Sequence, residues 1–374
     1  MRIKNAEVFL PEGRFTRCDV AFSDTIEQIG RLDGPADLDA EGCYLIPGLV
    51  DIHTHGAMGC DFSDGDPEKM HVMARYYADH GITDFLATTM TMPESEIAKA
   101  AGTIGAFDPE EGEANCLGVH LEGPFFSYEK RGAHNAVYLA PPDAEMVRRI
   151  NRAAQGKVRM VDVAPELPGA DAFIREMSKE CTVSLAHSTA DYDTAVRGFK
   201  LGATEATHLF NGMMPFLHRA PGLVGAAMDQ GAYAELICDG IHIHPSVIRA
   251  VFAMFPDRVV IISDSVRCAG MPEGTFELGS QTFTLKNGKA TLADGTIAGS
   301  CIALSTGLSN AVRFGIPLET AVASATIHPA KAIRMDGEVG AIAQGRRANL
   351  VLLNADLSIR AVFLRGKLHA KQPA

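Results

Sequence analysis

The feature that most constrains the fold is an alternation of short apolar segments with longer amphipathic ones from residue 44 to residue 264. Eight apolar segments have the length of buried strands, and most are separated by stretches with the 3.6-residue period of a helix. The predicted strands are residues 44–55, 82–90, 114–122, 158–164, 182–187, 203–209, 232–239 and 259–264. Eight strands alternating with helices predict an α/β fold, namely a (β/α)8 barrel of the TIM type.

The intervening segments predict amphipathic helices at residues 67–80, 93–104, 144–154, 170–179, 192–201 and 245–255. Pro67, Pro93 and Pro245 stand where three of these helices would begin, and proline is favoured in the first helical turn. Two further helices are predicted after the barrel strands, at residues 303–314 and 318–325.

Both chain ends predict strands rather than helices. The N-terminal segment alternates at residues 3–10, 15–22 and 25–29, and the C-terminal one at 349–354 and 359–367. Each end is too short to bury a core alone. We therefore predict a small β-sandwich domain formed by residues 1–45 and 341–374, with the barrel domain, residues 46–340, inserted between them. Residues 275–297 predict hairpins, with turn signals at Asn287-Gly288 and Asp294-Gly295.

Charge and cysteine content exclude some classes of partner. The formal net charge of -12 argues against nucleic acid or an anionic membrane, although a local pocket could still bind a small anion. The sequence has no run of about 18 apolar residues, so no transmembrane helix is expected. Its eight cysteines include no CxxC pair, and residues 1–8 alternate like a strand rather than a signal peptide. We expect reduced thiols and a cytoplasmic location.

Histidines and carboxylates stand at the ends of five predicted strands, where α/β-barrel enzymes hold their catalytic groups. His53 and His55 are two residues apart on the first strand, so they would project to one face. The other four residues are Glu122, His187, His208 and Asp264, at the ends of the third, fifth, sixth and eighth strands. A single such histidine is more often structural, but the set favours a metal site.

Imidazole and carboxylate suit borderline divalent ions such as zinc and iron(II). We hypothesise one ion on His53, His55, Glu122 and Asp264, and a second on Glu122, His187 and His208. Whether one or both positions are filled stays open. Such an ion would lower the pKa of a bound water toward about 7 and polarise a carbonyl group. Asp264 would take the water's proton and pass it to the leaving amine, so the set predicts amide hydrolysis or a related deamination.

These motifs resemble the amidohydrolase superfamily, and within it the N-acetylglucosamine-6-phosphate deacetylase family. The runs that carry the resemblance are PGLVDIHTHG at 47–56, HLEGPF at 120–125, KRGAHN at 130–135, AHS at 186–188, THLFNGM at 207–213, DGIH at 239–242 and SDS at 263–265. The resemblance implies hydrolysis of the acetamide of N-acetylglucosamine 6-phosphate to glucosamine 6-phosphate and acetate. It also implies one or two divalent metal ions, with Asp264 as the catalytic acid and base.

The resemblance further assigns the substrate contacts. His134 and His242 match residues that contact the sugar and its N-acetyl group. Asn211 and Arg219 match phosphate contacts, and the arginine would reach across a homodimer interface. Physical chemistry agrees with this assignment, since a planar guanidinium suits bidentate phosphate binding and the Gly212 backbone can donate a further hydrogen bond.

Several alternatives remain open at this point. The sequence does not decide between N-acetylglucosamine and N-acetylgalactosamine 6-phosphate, and an aminoacylase- or deaminase-like enzyme would share the metal chemistry without a phosphate clamp. A hydantoinase-like enzyme would need a lysine after the fourth strand, where Glu166 stands instead. A non-enzymatic scaffold should have lost metal ligands, and none is missing. Gly212, Ala220 and His328 depart from the family's usual residues, and the first two flank the expected phosphate pocket.

Overall fold

The computed structural model describes residues 1–279 and 281–371. Residue 280 and residues 372–374, which the predicted barrel and sandwich domains include, lie outside the described residues. The N-terminal segment forms strands, as the alternation predicted. These strands are β1 (Arg2–Leu10), β2 (Arg14–Phe22), β3 (Ile26–Gly30), β4 (Leu38–Asp39) and β5 (Tyr44–Pro47).

The central segment forms a parallel barrel. Its strands, with one small hairpin after the first, are β6 (Leu49–Thr54), β7 (Gly56–Ala57), β8 (Cys60–Asp61), β9 (Ile82–Thr89), β10 (Asn115–Leu121), β11 (Val158–Val163), β12 (Thr182–Leu185), β13 (Glu205–Ala206), β14 (Tyr233–Ile237) and β15 (Val259–Ile262). Apart from β7 and β8, these strands lie side by side in chain order in one eight-stranded sheet. The last strand returns to the first, because Asp264 N–H donates to His53 O at 2.9 Å.

Seven helices connect the barrel strands. They are α1 (Pro67–Asp79), α2 (Glu94–Ala106), α3 (Ala144–Ala153), α4 (Ala170–Met177), α5 (Tyr192–Leu201), α6 (Gly222–Gln230) and α7 (Pro245–Met254). Asp66, Asp143 and Asp191 cap α1, α3 and α5 by accepting hydrogen bonds from first-turn backbone N–H groups. Short 3-10 helices lie at Phe62–Asp64, Tyr128–Lys130 and Ala136–Tyr138. The strand and helix positions confirm the predicted barrel.

After the barrel strands come a three-stranded sheet, three helices and the C-terminal strands. These elements are β16 (Gly274–Leu278), β17 (Gln281–Lys286), β18 (Lys289–Leu292), α8 (Leu304–Arg313), α9 (Leu318–Ser324), α10 (Ile327–Ala332), β19 (Leu350–Leu353), β20 (Ile359–Leu364) and β21 (Lys367–Lys371). Asn287 and Gly288 both have positive φ, 51° and 71°, as the predicted hairpin turn requires.

Strands from both chain ends pair with one another, as predicted, and they do so within one sheet. Its order is β21-β20-β19-β5-β1-β2-β3, with β4 beside β1. The sheet has its own core, in which Ile3, Val20 and Phe363 are fully buried. The predicted domain limits, 1–45 and 341–374 against 46–340, stay a prediction, but strand β5 extends the small sheet to Pro47.

The predicted first strand, residues 44–55, is two strands in the structure. β5 pairs with β1 and β19 in the small sheet, whereas β6 pairs with β9 in the barrel. Gly48 stands between them, and a Cβ there would lie 2.0 Å from Thr83 Oγ1. Only glycine permits this close approach, so the chain crosses from one sheet to the other at that residue.

The amino end of the barrel is covered by other elements, whereas its carboxyl end carries the predicted site. Thr182, at the start of β12, donates to Ala332 O of α10 at 2.9 Å. Val50 N–H, at the start of β6, donates to Ala325 O at 3.0 Å. The segment from α9 to α10 therefore covers the amino ends of the strands, opposite to the edge that carries the predicted metal ligands.

Candidate metal centre

The six predicted metal-binding residues meet at the carboxyl end of the barrel. His53 is inside β6, and Glu122 follows β10 directly; the other four are His55, His187, His208 and Asp264, one or two residues beyond their strands. All six side chains are buried or nearly so. Because five of these residues lie beyond the ends of their strands, several strands end earlier than the sequence predicted. His187, His208 and Asp264 leave the extended conformation and have φ of 44°, 29° and 47°.

Glu122 is at the centre of the cluster. Its Oε1 lies 3.2 Å from His187 Nε2, 3.0 Å from His208 Nε2 and 3.6 Å from His53 Nε2. Its Oε2 lies 3.1 Å from His55 Nε2. One carboxylate therefore faces the four predicted histidine ligands with both oxygens, as a ligand shared between two cations would.

Asp264 faces the first histidine pair from the other side. Its Oδ1 lies 3.5 Å from His55 Nε2 and 3.7 Å from His53 Nε2. The ligand atoms of His53, His55 and Asp264 all lie within 4.8 Å of one another. The structure therefore brings together the residues of both hypothesised ion positions.

Hydrogen bonds behind the imidazoles decide which nitrogens carry protons. His187 Nδ1 contacts Lys130 O at 2.7 Å, and a carbonyl only accepts, so Nδ1 is the protonated nitrogen of the neutral ring. His187 Nε2 then presents a lone pair to Glu122 Oε1 and to His208 Nε2, which is 3.1 Å away. His53 Nδ1 donates in the same way to Glu235 Oε2 at 2.8 Å. Lone pairs aimed at a carboxylate fit a cation between them.

The electrostatics also favour positive charge beside Glu122. Burial would by itself raise the pKa of Glu122, but a hydrogen bond donated by His134 and the charge interaction with His53 hold this pKa well below its usual value. Burial would lower the pKa of His53, yet the carboxylates of Glu235 and Glu122 raise it well above its usual value. The chemistry of the donor set therefore fits a divalent cation.

His134 differs from the other imidazoles of the cluster. It lies with Glu122 and His187 in a group that could hold an ion, and its Nε2 is 3.3 Å from Glu122 Oε2. However, its Nδ1 accepts from Thr91 N–H at 3.4 Å, which places the ring proton on Nε2. Burial lowers the pKa of His134 to about 4, so the ring is neutral near pH 7. His134 is thus a hydrogen-bond donor at the cavity rather than a metal ligand.

A cavity of about 290 Å³ opens in front of the cluster. His134, Asn211, Gly212 and His242 form part of its polar lining, and Val266, Leu278, Ile297 and Ala298 form an apolar part. His242 Nδ1 contacts Asp239 Oδ2 at 2.7 Å, which fixes the ring at the cavity edge. Asn211 donates from Nδ2 to His208 O at 3.1 Å. Four of the five predicted substrate-binding residues therefore line this cavity.

Arg219 is the exception, because it is exposed and does not line the cavity. It belongs to an exposed loop, residues 214–220, in which Met214, Phe216 and Leu217 are also exposed. Within one chain, therefore, the structure does not bring Arg219 to the other predicted site residues. Ala220, a departure from the family's usual residue, pairs with Leu217 in the turn of this loop.

Two polar networks behind the cluster have structural roles. His120 Nε2 contacts Asp162 Oδ1 at 3.0 Å and its Nδ1 contacts Ile52 O at 3.2 Å, so both ring nitrogens already have partners. His328, the other unusual residue, is buried with Nδ1 2.9 Å from Val259 O, outside the cavity. The sequence reasoning missed Glu235, although a carboxylate inside the apolar strand β14 was a signal that could have identified it.

A parallel barrel that holds imidazoles and shared carboxylates at the carboxyl ends of its strands defines a class of metal-dependent hydrolases. The amidohydrolase family model matches residues 44–369, and the chain belongs to the amidohydrolase family.

Within the amidohydrolase family, the chain is similar to deacetylases of amino-sugar phosphates. The N-acetylglucosamine-6-phosphate deacetylase of Vibrio furnissii is 34% identical over 352 residues, which cover 92% of this chain and 88% of the relative. The N-acetylgalactosamine-6-phosphate deacetylase of Escherichia coli O157:H7 is 33% identical, with 88% of each chain covered.

The fold is also similar to solved structures of such deacetylases. A mutant N-acetyl-D-glucosamine-6-phosphate deacetylase from Mycobacterium smegmatis, in complex with N-acetyl-D-glucosamine-6-phosphate, has a TM-score of 0.93 to this chain. It is 30% identical, and 99% of both chains is covered. Among the described residues, no helix has the length and apolar character needed to cross a membrane.

Proposed function

We propose that the protein hydrolyses the acetamide of N-acetylglucosamine 6-phosphate to glucosamine 6-phosphate and acetate. The observation that carries this proposal is the convergence of four imidazoles on the shared carboxylate of Glu122, with Asp264 opposite, at the wall of one cavity. The relatives' activities give the substrate.

The proposed ion positions are those of the sequence hypothesis. His53, His55, Glu122 and Asp264 would hold one divalent ion, and Glu122, His187 and His208 a second, with zinc or iron(II) as the ions that suit these ligands. When bound, such an ion activates a water molecule and polarises the amide carbonyl.

Asp264 is the proposed catalytic acid and base. Its carboxylate lines the cavity beside the histidine pair, and its backbone N–H is fixed by His53 O. We assign it the proton of the attacking water and its later transfer to the leaving nitrogen of the amino sugar, because amines leave only when protonated.

His134 and His242 orient the substrate in this scheme. His134 presents its Nε2 proton, so it can donate to an oxygen of the sugar or of its acetyl group. His242, fixed through Nδ1 by Asp239, presents Nε2 to the cavity. The apolar side chains of Val266 and Leu278 give the acetyl methyl group a surface without hydrogen-bonding demands.

Phosphate recognition explains the position of Arg219. No lysine or arginine side chain is among the described residues that line the cavity. A guanidinium suits bidentate phosphate binding, and Arg219 stands outside the cavity on a loop with three exposed apolar side chains. We propose a homodimer in which this loop of a second copy completes the phosphate site begun by Asn211 and Gly212. All eight cysteines are free, which supports a cytoplasmic location.

The second candidate substrate is N-acetylgalactosamine 6-phosphate, which the similar Escherichia coli O157:H7 relative is named for. It differs in the orientation of one hydroxyl group, and the metal and acetamide chemistry would be unchanged.

Acetate release from both sugar phosphates and from their unphosphorylated forms tests the proposal. We expect the highest kcat/KM for N-acetylglucosamine 6-phosphate and a large loss without the phosphate. Faster turnover of the galacto epimer would transfer the assignment to the second candidate. No acetate from any of the four compounds by zinc-loaded protein would refute the deacetylase assignment.

A further inference from the structure

One carboxylate oxygen of Glu235 accepts hydrogen bonds from a ligand residue of each proposed ion position. It lies in the middle of β14 and is completely buried. Its Oε2 accepts from His53 Nδ1–H at 2.8 Å and from the backbone N–H of His208 at 3.1 Å. His53 belongs to the first proposed ion position and His208 to the second.

The bond to His53 sets the tautomer of that ring. A carboxylate behind Nδ1 keeps the proton there and leaves the Nε2 lone pair free to bind a metal ion. His53 Nε2 has no hydrogen-bond partner among the described residues, and it points toward Glu122 and Asp264 at 3.6 and 3.7 Å.

The bond to His208 replaces a missing strand interaction. β13 consists of only two residues, and its pairing with β14 ends at Ala206 and Ala234. Beyond that point Glu235 holds the chain by its side chain at His208 N–H and by its own carbonyl, which accepts from Leu209 N–H at 2.8 Å. This fixes His208 at a φ of 29°, in a region that non-glycine residues seldom adopt.

We propose that Glu235 is a positioning residue that couples the two ion positions, because it orients the His53 ring and fixes the His208 backbone at once. This inference rests on the proposed function, since it assumes that both positions bind an ion. It assigns Glu235 no contact with substrate.

The chain offers a matched control in Glu205. This second glutamate lies on β13, next to β14, and is equally buried. Neither of its carboxylate oxygens has a hydrogen-bond partner among the described residues. Glu205→Gln and Glu235→Gln make the same substitution at the same depth, but only Glu235 is hydrogen-bonded to the proposed ion ligands.

The test is a calorimetric titration of metal-stripped protein with Zn²⁺, with the unfolding temperature measured on the same samples. We expect two ions in the wild type, and dissociation constants about 10- to 100-fold weaker at both positions in Glu235→Gln. Glu205→Gln should bind both ions like the wild type. Unchanged affinities in Glu235→Gln, or weakening at one position alone, would refute the coupling.

A double variant separates the two bonds of Glu235. In a His53→Ala background the bond to His208 remains, so Glu235→Gln should still weaken the remaining ion. An ion affinity in the double variant equal to that of His53→Ala alone would refute the role of Glu235 at both ion positions. A wild type that binds a single Zn²⁺ would refute the two-ion part of the proposed function and the coupling with it, whereas two ions and an unaffected Glu235→Gln would refute the positioning role alone.

A measurement on the wild type does not depend on the variants folding. In metal-stripped, ¹⁵N-histidine-labelled protein, the nuclear magnetic resonance spectrum should show a proton on His53 Nδ1, whether or not Nε2 carries a second one. A His53 ring without a proton on Nδ1 would overturn the assigned hydrogen bond to Glu235 and the proposal.

Discussion

Gly299 allows a direct test of how closely the Asp264 segment is held. Its φ of 78° is a left-handed conformation, and a Cβ at this position would lie 2.6 Å from Val266 Cγ1 and 3.0 Å from Asp264 O. The adjacent Ser300 N–H donates to the same Asp264 oxygen at 2.8 Å. Gly299→Ala must therefore displace the segment that carries the proposed catalytic carboxylate.

The expected magnitude has two parts. An L-residue in the left-handed region costs about 1–2 kcal/mol, and overpacking against Val266 and the Asp264 backbone adds about 1–3 kcal/mol. The free energy of unfolding should fall by about 2–5 kcal/mol. Since a misplacement of about 1 Å can cost 10²-fold in rate, kcat should fall at least about tenfold.

Gly295→Ala is the matched control. Gly295 has a φ of 89° but no atom within 4 Å of the added Cβ, so it isolates the backbone cost of about 1–2 kcal/mol. Urea unfolding and acetate release measure both effects. The reasoning is wrong if Gly299→Ala loses no more stability and no more activity than Gly295→Ala.

Four further outcomes are expected. Asp264→Asn should lower kcat about 10²- to 10⁴-fold through loss of general acid–base catalysis, and wild-type turnover in this variant would remove Asp264 from that role. Arg219→Ala should raise KM about 10- to 100-fold for the phosphorylated sugar, because a charge-assisted hydrogen bond contributes about 1.5–3 kcal/mol, with little change for the unphosphorylated one. Chelation should abolish acetate release and lower the unfolding temperature, because ions that bind only the folded state stabilise it. Added Zn²⁺ should restore both the activity and the unfolding temperature. Full activity after verified metal removal would contradict the metal assignment. Burial raises the pKa of Cys181 to about 12, so at pH 8 about one thiol in ten thousand is ionised. Iodoacetamide should therefore modify Cys181 only after unfolding, as peptide mass mapping would show, whereas equal labelling of native protein would contradict its burial.

The sequence predicted the barrel because buried parallel strands and amphipathic helices leave strong local patterns. Residues 192–201 form α5 as predicted, and 245–255 differ from α7 by one residue. It missed α6, Gly222–Gln230, because this helix contains two glycines and is buried over most of its length, so it has no clear polar face. It also gave β13 seven residues where the structure has two, since an apolar run does not show where hydrogen-bonded pairing stops.

The residues of the site likewise include some that the sequence predicted and some that it did not. The chain motifs identified the imidazoles, Glu122 and Asp264, because each follows an apolar strand and these ends meet in a barrel. Glu235 could not be assigned a partner from sequence, since its contacts to His53 and His208 join residues 182 and 27 positions away. The resemblance implied that Arg219 would reach across a homodimer interface, but the place of its loop within this chain could not be predicted, because it depends on how that loop packs.

Three of the residues that approach the proposed ions, His187, His208 and Asp264, have left-handed backbones without being glycine. Such conformations cost about 1–3 kcal/mol each, and glycine would relieve them. Glycine at these positions would therefore relax the backbone but would also remove the side chains that surround Glu122 and the ions that stabilise the folded protein. No exchange to glycine at these three positions can keep both a relaxed backbone and the reaction.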